Sequence, residues 1–302
     1  MTTMTQQLAP PTPTEETVPA QKVKNWGLVG LQRTSRPRIR SVHADVIDHR
    51  PLTEHYRALT VMAPEIAGTA LPGQFVMLTV ARRNRSVPAL PRPMAIYSVD
   101  SESGSVEILY GVVGDGTRTL AGFEEGEQIH LIGPLGQPFD IEEGTQSALL
   151  LGRGIGTCSL TTVAQQHGDS VEITAVTSGR RPESLIGAEF YRRHGARTVF
   201  EVNDADGSSS PESLLTTLTQ ELDAAPPDVI LTCGSNRLIT LSETLAERWN
   251  CTVQVSVEAH MACGIGYCHG CASGARSEGA ESPLICNDGP VFAWKQLEGE
   301  NA

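Results

Sequence analysis

Four cysteines near the C-terminal end of this 302-residue chain constrain it more than any other feature. Cys263, Cys268, Cys271 and Cys286 stand in the pattern C-x4-C-x2-C-x14-C, three of them within MACGIGYCHGCAS and the fourth in LICNDG. A two-iron cluster asks for this donor set: soft thiolates that delocalise charge on iron, two for each metal besides the bridging sulfides. One tight loop can supply three sulfurs, and a more distant residue closes the coordination. Gly264, Gly266 and Gly270 let such a loop curl at little steric cost. The x4 and x2 intervals match the plant-type ferredoxin opening, although the last interval is short. We therefore expect a [2Fe–2S] cluster on these four residues. Two other readings stay open at this level. Structural zinc also takes four cysteines, usually paired two to four residues apart at both ends of a loop; and the thiols could be simply reactive or structural. His269 lies inside the loop, but as a ligand it would leave one cysteine over, so it is expected to face solvent.

Cys158, Cys233 and Cys251 stand singly among apolar or small residues and read as buried small side chains. The N-terminus lacks the basic start and apolar run of a secretory signal, so the chain is expected in the cytoplasm. That compartment keeps thiols reduced, which argues against a disulfide framework. No stretch approaches the roughly 18 apolar residues of a membrane span. The formal net charge of −12 is uneven: Lys22, Lys24, Arg33, Arg36, Arg38 and Arg40 against Glu15 and Glu16 give residues 1–40 a charge of +4, leaving −16 on the rest. So acidic a body repels a phosphate backbone, and nucleic acid is not an expected partner.

Residues 1–37 are expected to form a disordered basic tail, since 1–24 are rich in Thr, Pro and Gln and almost free of core-forming side chains. Residues 38–144 read as six short strands between Pro/Gly punctuation: 41–47, 56–63, 74–80, 95–100, 105–113 and 127–133. Strands at that spacing suggest a small antiparallel barrel. Over 145–250 strands at 148–152, 171–177 and 197–202 and in PDVILTCG alternate with helices at 183–194, 211–222 and 235–248. CTVQVSV (251–257) adds a fifth strand. This alternation predicts an open, mostly parallel sheet covered on both faces. Residues 251–302 then carry the cluster. The expected architecture is a multidomain α+β chain: an N-terminal antiparallel β-barrel, a central α/β parallel-sheet nucleotide-binding domain and a small C-terminal [2Fe–2S] domain.

VSVEAHMACGIGYCHGC followed by CNDGPVF resembles the C-terminal signature of the electron-transfer subunit of dihydroorotate dehydrogenase, within the ferredoxin–NADP reductase superfamily; the likeness runs over residues 40–294 in the same domain order. The resemblance implies FAD in the barrel, bound through an R-P-x-[Ser]-hydrophobic segment and a later G-x-G-T segment. Here these are Arg92-Pro93-Met94-Ala95-Ile96 and Gly114-Asp115-Gly116-Thr117. It implies that Arg92 pairs with the flavin pyrophosphate, that Met94, Ala95 and Ile96 line the isoalloxazine, and that Gly116 and Thr117 hold the phosphate side. A guanidinium forms directional charged bonds to phosphate, and glycine lets backbone N–H groups approach it. Ala95 departs from the family's serine, which puts the flavin's reactivity in question.

The resemblance also implies that NAD(H) meets the α/β domain at Gly152-Arg153-Gly154-Ile155-Gly156-Thr157, with Gly152, Gly154 and Gly156 as the phosphate turn before a helix. Arg153 replaces a glycine of the family's run, and Cys233-Gly234-Ser235-Asn236 lacks the proline of its CGP segment. NAD is therefore a candidate ligand rather than a required one. The implied function is electron transfer between FAD, the cluster, NAD(H) and an FMN-containing dihydroorotate dehydrogenase catalytic subunit, in pyrimidine biosynthesis, with no catalytic acid or base from this chain. The alternatives are a flavin and iron–sulfur protein serving another redox protein without NAD, and a non-catalytic structural or regulatory subunit.

Overall fold

The first half of the chain alternates buried apolar with exposed polar residues, the period of strands packed on one face. The computed structural model describes residues 26–31, 37–81, 90–274 and 282–296. Its first half forms β1 (Trp26–Gly30), β2 (Arg40–Pro51), β3 (Tyr56–Met62), α1 (Pro64–Ala67), β4 (Phe75–Thr79), β5 (Arg92–Ala95), β6 (Ser98–Asp100), β7 (Ser105–Gly111), α2 (Asp115–Leu120) and β8 (Gln128–Leu135). Strands β2 to β8 make one antiparallel sheet in the order β5-β4-β8-β2-β3-β7-β6. In β2, Ala44 and Val46 point inward while their neighbours face water. Register shifts between Val46 and Asp48 and between Phe75 and Met77 bend this sheet into a half-barrel.

The expected antiparallel barrel is a curled, open sheet, a half-barrel. Its edge strands β5 and β6 are joined only by Ile96 and Tyr97, whose N–H groups donate to Gln74 O and Glu107 O. The chain itself thus spans the seam where a closed barrel would carry a ladder. Val46, Leu59, Val61, Val76, Ile108 and Leu131 fill the concave side, with Ile66 of α1 and Leu120 of α2 packed against them.

The second half supplies β9 (Ser147–Arg153), α3 (Cys158–His167), β10 (Glu172–Gly179), α4 (Ala188–Arg193), β11 (Thr198–Asn203), α5 (Pro211–Leu222), β12 (Val229–Cys233), α6 (Asn236–Trp249), β13 (Thr252–Ser256) and β14 (Val291–Gln296). Strands β9 to β13 are parallel, in the order β13-β12-β9-β10-β11. The run 148–151 is continuously apolar because both faces are covered. Ala148 and Leu150 pack with Leu160 and Val163 of α3, while Leu149 and Leu151 pack with Leu218 of α5 and Leu241 of α6. The expected helix 183–194 is shorter: Gly187 takes φ +90°, and α4 begins only at Ala188, after a separate 3-10 turn at Pro182–Ser184.

Both ends of the chain differ from expectation. Trp26–Gly30, assigned to a structureless tail, is β1 and runs antiparallel to β14, with Leu28 buried. The remainder of that tail up to residue 25 lies outside the described residues. The segment 251–302 is not self-contained either: β13 and β14 pair antiparallel inside the main sheet, which is therefore mixed, and the cysteine loop is an excursion between them. The two sheets are tied together by side chains of α3. Gln165 accepts from Val99 N–H at 3.1 Å and donates to Val99 O at 2.7 Å, and Thr161 Oγ1 donates to Tyr97 O at 2.6 Å. Among the described residues no helix is long and apolar enough to cross a membrane.

Candidate functional site

The loop after β13 turns tightly enough to gather its thiols into two pairs. Cys271 and Cys286 are buried with their sulfurs 3.3 Å apart. Cys263 is half-buried and Cys268 exposed, and the two thiols share a hydrogen bond. Backbone amides point at the sulfurs: Gly266 N–H donates to Cys286 Sγ at 3.1 Å, Cys268 N–H to Cys263 Sγ at 3.4 Å and Cys286 N–H to Cys271 Sγ at 3.4 Å. Gly264 sits at φ +72°, and a Cβ there would stand 2.5 Å from Met77 Cγ, so the loop lies flat on the half-barrel. Burial works to raise the Cys263 pKa, but the N–H groups of Ile265 and Cys268 outweigh it and bring the thiol down to about 7. Burial and the neighbouring Cys271 thiol push Cys286 up to about 12. Among the described residues no three His, Cys, Asp or Glu side chains converge on a point that would hold a single metal ion. Two thiol pairs with N–H donors fit a two-iron cluster, which takes two thiolates per iron and is tuned by such hydrogen bonds. His269 is exposed, at φ +55°.

A cavity of about 390 Å³ lies between the half-barrel and the mixed sheet, walled by Tyr56, Pro93, Met94, Ala95, Tyr110 and Glu258 among others. Arg92 is anchored through Nη1 to Leu90 O at 2.6 Å, and its guanidinium lies against Gly116, where any Cβ would collide with it. Guanidinium and glycine turn thus form one surface, suited to a phosphate. Thr117 lines the same cavity and also shapes the turn. Its Oγ1 accepts from Val113 N–H at 2.9 Å and Gly114 N–H at 3.0 Å and donates to Gly114 O at 3.1 Å, so it shapes the turn before α2. Ile96 is 1% exposed and packs into the half-barrel core rather than onto the cavity.

The turn after β9 lies at the carboxyl end of the parallel strands, where the sheet order runs outward in both directions from β9 and β12. Such a switch point is where open α/β sheets bind ligands. Gly154 takes φ +51°, and a Cβ on Gly156 would come within 2.6 Å of Gly234 Cα, so the turns after β9 and β12 touch backbone to backbone. A second cleft, of about 670 Å³, is lined by Arg153, Gly154, Gly179, Arg180, Arg181 and Gly234, and shares Tyr56 with the first cavity.

Sequence reasoning missed Glu258. It walls the first cavity, and although its side chain reaches solvent, the surrounding protein displaces enough water to raise its carboxyl pKa. The same segment, Ser256 to Met261, lines the cavity and continues directly into the cluster loop at Cys263. Cys158 and Cys233 are buried as expected; burial pushes the Cys233 thiol, which donates to Ser159 Oγ at 3.7 Å, up to about 12.

Residues 258–298 match the model of the iron–sulfur cluster binding domain of dihydroorotate dehydrogenase B. A dihydroorotate dehydrogenase B (NAD(+)) electron transfer subunit from Listeria monocytogenes is 31% identical over 236 residues, covering 77% of this chain and 89% of that one. The subunit of the same name from Caldanaerobacter subterraneus is 31% identical over 226 residues, covering 74% and 85%. Among solved structures, an NADH-dependent reduced ferredoxin–NADP oxidoreductase matches with a TM-score of 0.69 at 23% identity, over 84% of this chain and 90% of that one, a likeness of fold.

Proposed function

The chain belongs to the family of dihydroorotate dehydrogenase B electron-transfer subunits, and on that premise we propose that it is an oxidoreductase component passing electrons between a partner dehydrogenase, a [2Fe–2S] cluster, FAD and NAD(H). The observation that carries this reading is continuity: one short segment, Ser256 to Met261, walls the flavin-sized cavity and leads straight to Cys263. Cofactors on either side of that segment are close neighbours.

When bound, the flavin supplies the exchange between two-electron and one-electron chemistry and the cluster supplies one-electron carriage. This chain's residues bind and orient. Arg92, held by Leu90 O, keeps most of its five N–H donors for the flavin pyrophosphate, and Gly114 and Gly116 leave room beside it. Thr117 fixes the turn; Pro93, Met94 and Ala95 give the ring an apolar wall that excludes water. Ala95 offers no hydroxyl to the ring. Cys263, Cys268, Cys271 and Cys286 hold the cluster, with backbone amides directed at their sulfurs. Gly152, Gly154 and Gly156 receive the dinucleotide at the start of α3. The partner is the FMN-containing catalytic subunit of a dihydroorotate dehydrogenase.

The test is an anaerobic purification followed by an absorbance spectrum and a count of iron, acid-labile sulfide and flavin per chain. We expect about two irons, two sulfides and one FAD, bleaching of the flavin on addition of NADH, and loss of FAD from Arg92→Ala. Stoichiometric zinc without labile sulfide would overturn the cluster; a flavin that NADH leaves oxidised would overturn the NAD step.

A further inference from the structure

The last residue of β9, Arg153, presents a side chain where a plain glycine cradle would present only backbone. Arg153 is largely buried, its side chain 15% exposed. Its Nη2 donates to Asp204 Oδ2 at 2.6 Å and its Nη1 reaches Gly179 O at 3.5 Å. Arg237, in the first turn of α6, donates to the other oxygen of the same carboxylate, also at 2.6 Å. Ser209 Oγ donates to it as well. One carboxylate thus straps three elements together across the carboxyl ends of the parallel strands: the last residue of β9, the turn after β11 and the start of α6. The Ser209 hydroxyl and the two guanidiniums hold Asp204 well below the usual carboxylate range, so it carries its charge at neutral pH.

A carboxylate bridging two guanidiniums satisfies the same N–H donors, with the same charge, as a phosphate would. The bridge stands beside the cleft at the strand ends, where Arg180 and Arg181 add further positive charge in a chain of net charge −12. We propose that Asp204 is an internal competitor for the phosphates of the dinucleotide: it pairs with Arg153 and Arg237, and NAD(H) binds by exchanging that carboxylate for pyrophosphate oxygens. This inference rests on the NAD reading of the preceding subsection and adds the device that sets the affinity. A binding-competent arrangement that is only partly populated lowers apparent affinity by the populated fraction, so weakening the internal bridge raises it.

The experiment is calorimetric titration of NAD+ into the purified, flavin- and cluster-loaded protein, comparing wild type, Asp204→Asn and Arg153→Gln at low and at moderate salt. Asparagine keeps the shape and the acceptor for Ser209 but not the charge. We expect Asp204→Asn to bind about fivefold tighter and Arg153→Gln about tenfold weaker, with a shallower salt dependence for the latter. Thermal melting curves establish that each variant is folded. If Asp204→Asn binds no tighter than wild type, or Arg153→Gln binds as tightly, the competitor is overturned while NAD binding stands. If wild type binds no NAD+ but Asp204→Asn does, the competitor holds and NAD use by the unmodified chain falls. If neither binds, both ideas fall.

Discussion

His49, on β2, donates from Nδ1 to the carbonyl of Phe123 at 2.7 Å, which places the proton of its neutral ring there and leaves Nε2 as an acceptor. That lone pair takes the Tyr110 hydroxyl at 2.8 Å and the Arg57 Nε–H at 3.4 Å. A second ring proton would meet two donors, one of them cationic. Burial lowers the His49 pKa, and Arg57 acts in the same direction, against the Phe123 carbonyl and Asp48. The unfolded chain takes up its proton near pH 6.5, the folded one only at lower pH. Between those values the unfolded state binds more protons, so stability falls as pH falls. We expect the melting temperature to drop on acidification through about pH 6.5, and His49→Gln to remove part of the slope, at most about 1.4 kcal/mol per pH unit for one such group. An unchanged slope in the variant would sink this account; His130 and His194, also shifted down by burial, supply the remainder. At this scale residue type was legible but direction was not. The Arg92 guanidinium lies against Gly116, whereas Ile96 turns into the core and the Thr117 hydroxyl turns back on its own loop, because strand phase and local hydrogen bonding decide where a side chain points.

The elements were legible where their signals are local. Ser210 accepts from Ser213 N–H at 3.1 Å, Pro211 opens the first turn, and the leucines at 214 and 218 are buried, so α5 runs over the expected residues. The short α2, which begins within Gly-Asp-Gly-Thr, has no such periodicity. Glycines in the turn after β9 were visible, but their strictest requirement comes from a turn far along the chain. A Cβ on Gly156 would stand 2.6 Å from Gly234 Cα and 2.8 Å from Gly234 N, contacts that backbone cannot relieve by changing rotamer. Gly156→Ala should therefore cost about 1–3 kcal/mol, as overpacking does. A lower denaturant midpoint at unchanged m-value is the readout. Gly30→Ala, with nothing within 4 Å of the added carbon, is the control and should leave the midpoint in place. Equal midpoints for the two variants would mean that the turns can part without cost.

Across the whole molecule the sequence shows a strand-rich half followed by an alternating strand–helix half, but not that both contribute to one shared buried cluster besides their own cores. Leu28 of β1, Phe75 and Met77 of β4, Leu135 of β8, Phe292 of β14 and the loop cysteines Cys271 and Cys286 belong to a single buried group. Strand pairing between residue 26 and residue 296 leaves no short-range trace, so local sequence signals show no strand there. The cluster loop therefore rests on both sheets and on the N-terminal strand together. Deleting residues 1–31 would bare the outer edge of β14 and remove Leu28, itself worth about 1.5–3 kcal/mol of burial. A bare strand edge also invites pairing with other chains. We expect the truncated protein, purified anaerobically, to hold less iron per chain and to lose its visible absorbance faster in air, while a deletion of residues 1–25 retains both. On the far side of the mixed sheet, where α5 and α6 pack on β9 to β13, β1 contributes the partly buried Trp26 at the margin, so most of the helical circular dichroism should be kept. Full iron content and unchanged bleaching in the longer deletion would show that β14 holds the cluster loop without its outer neighbour.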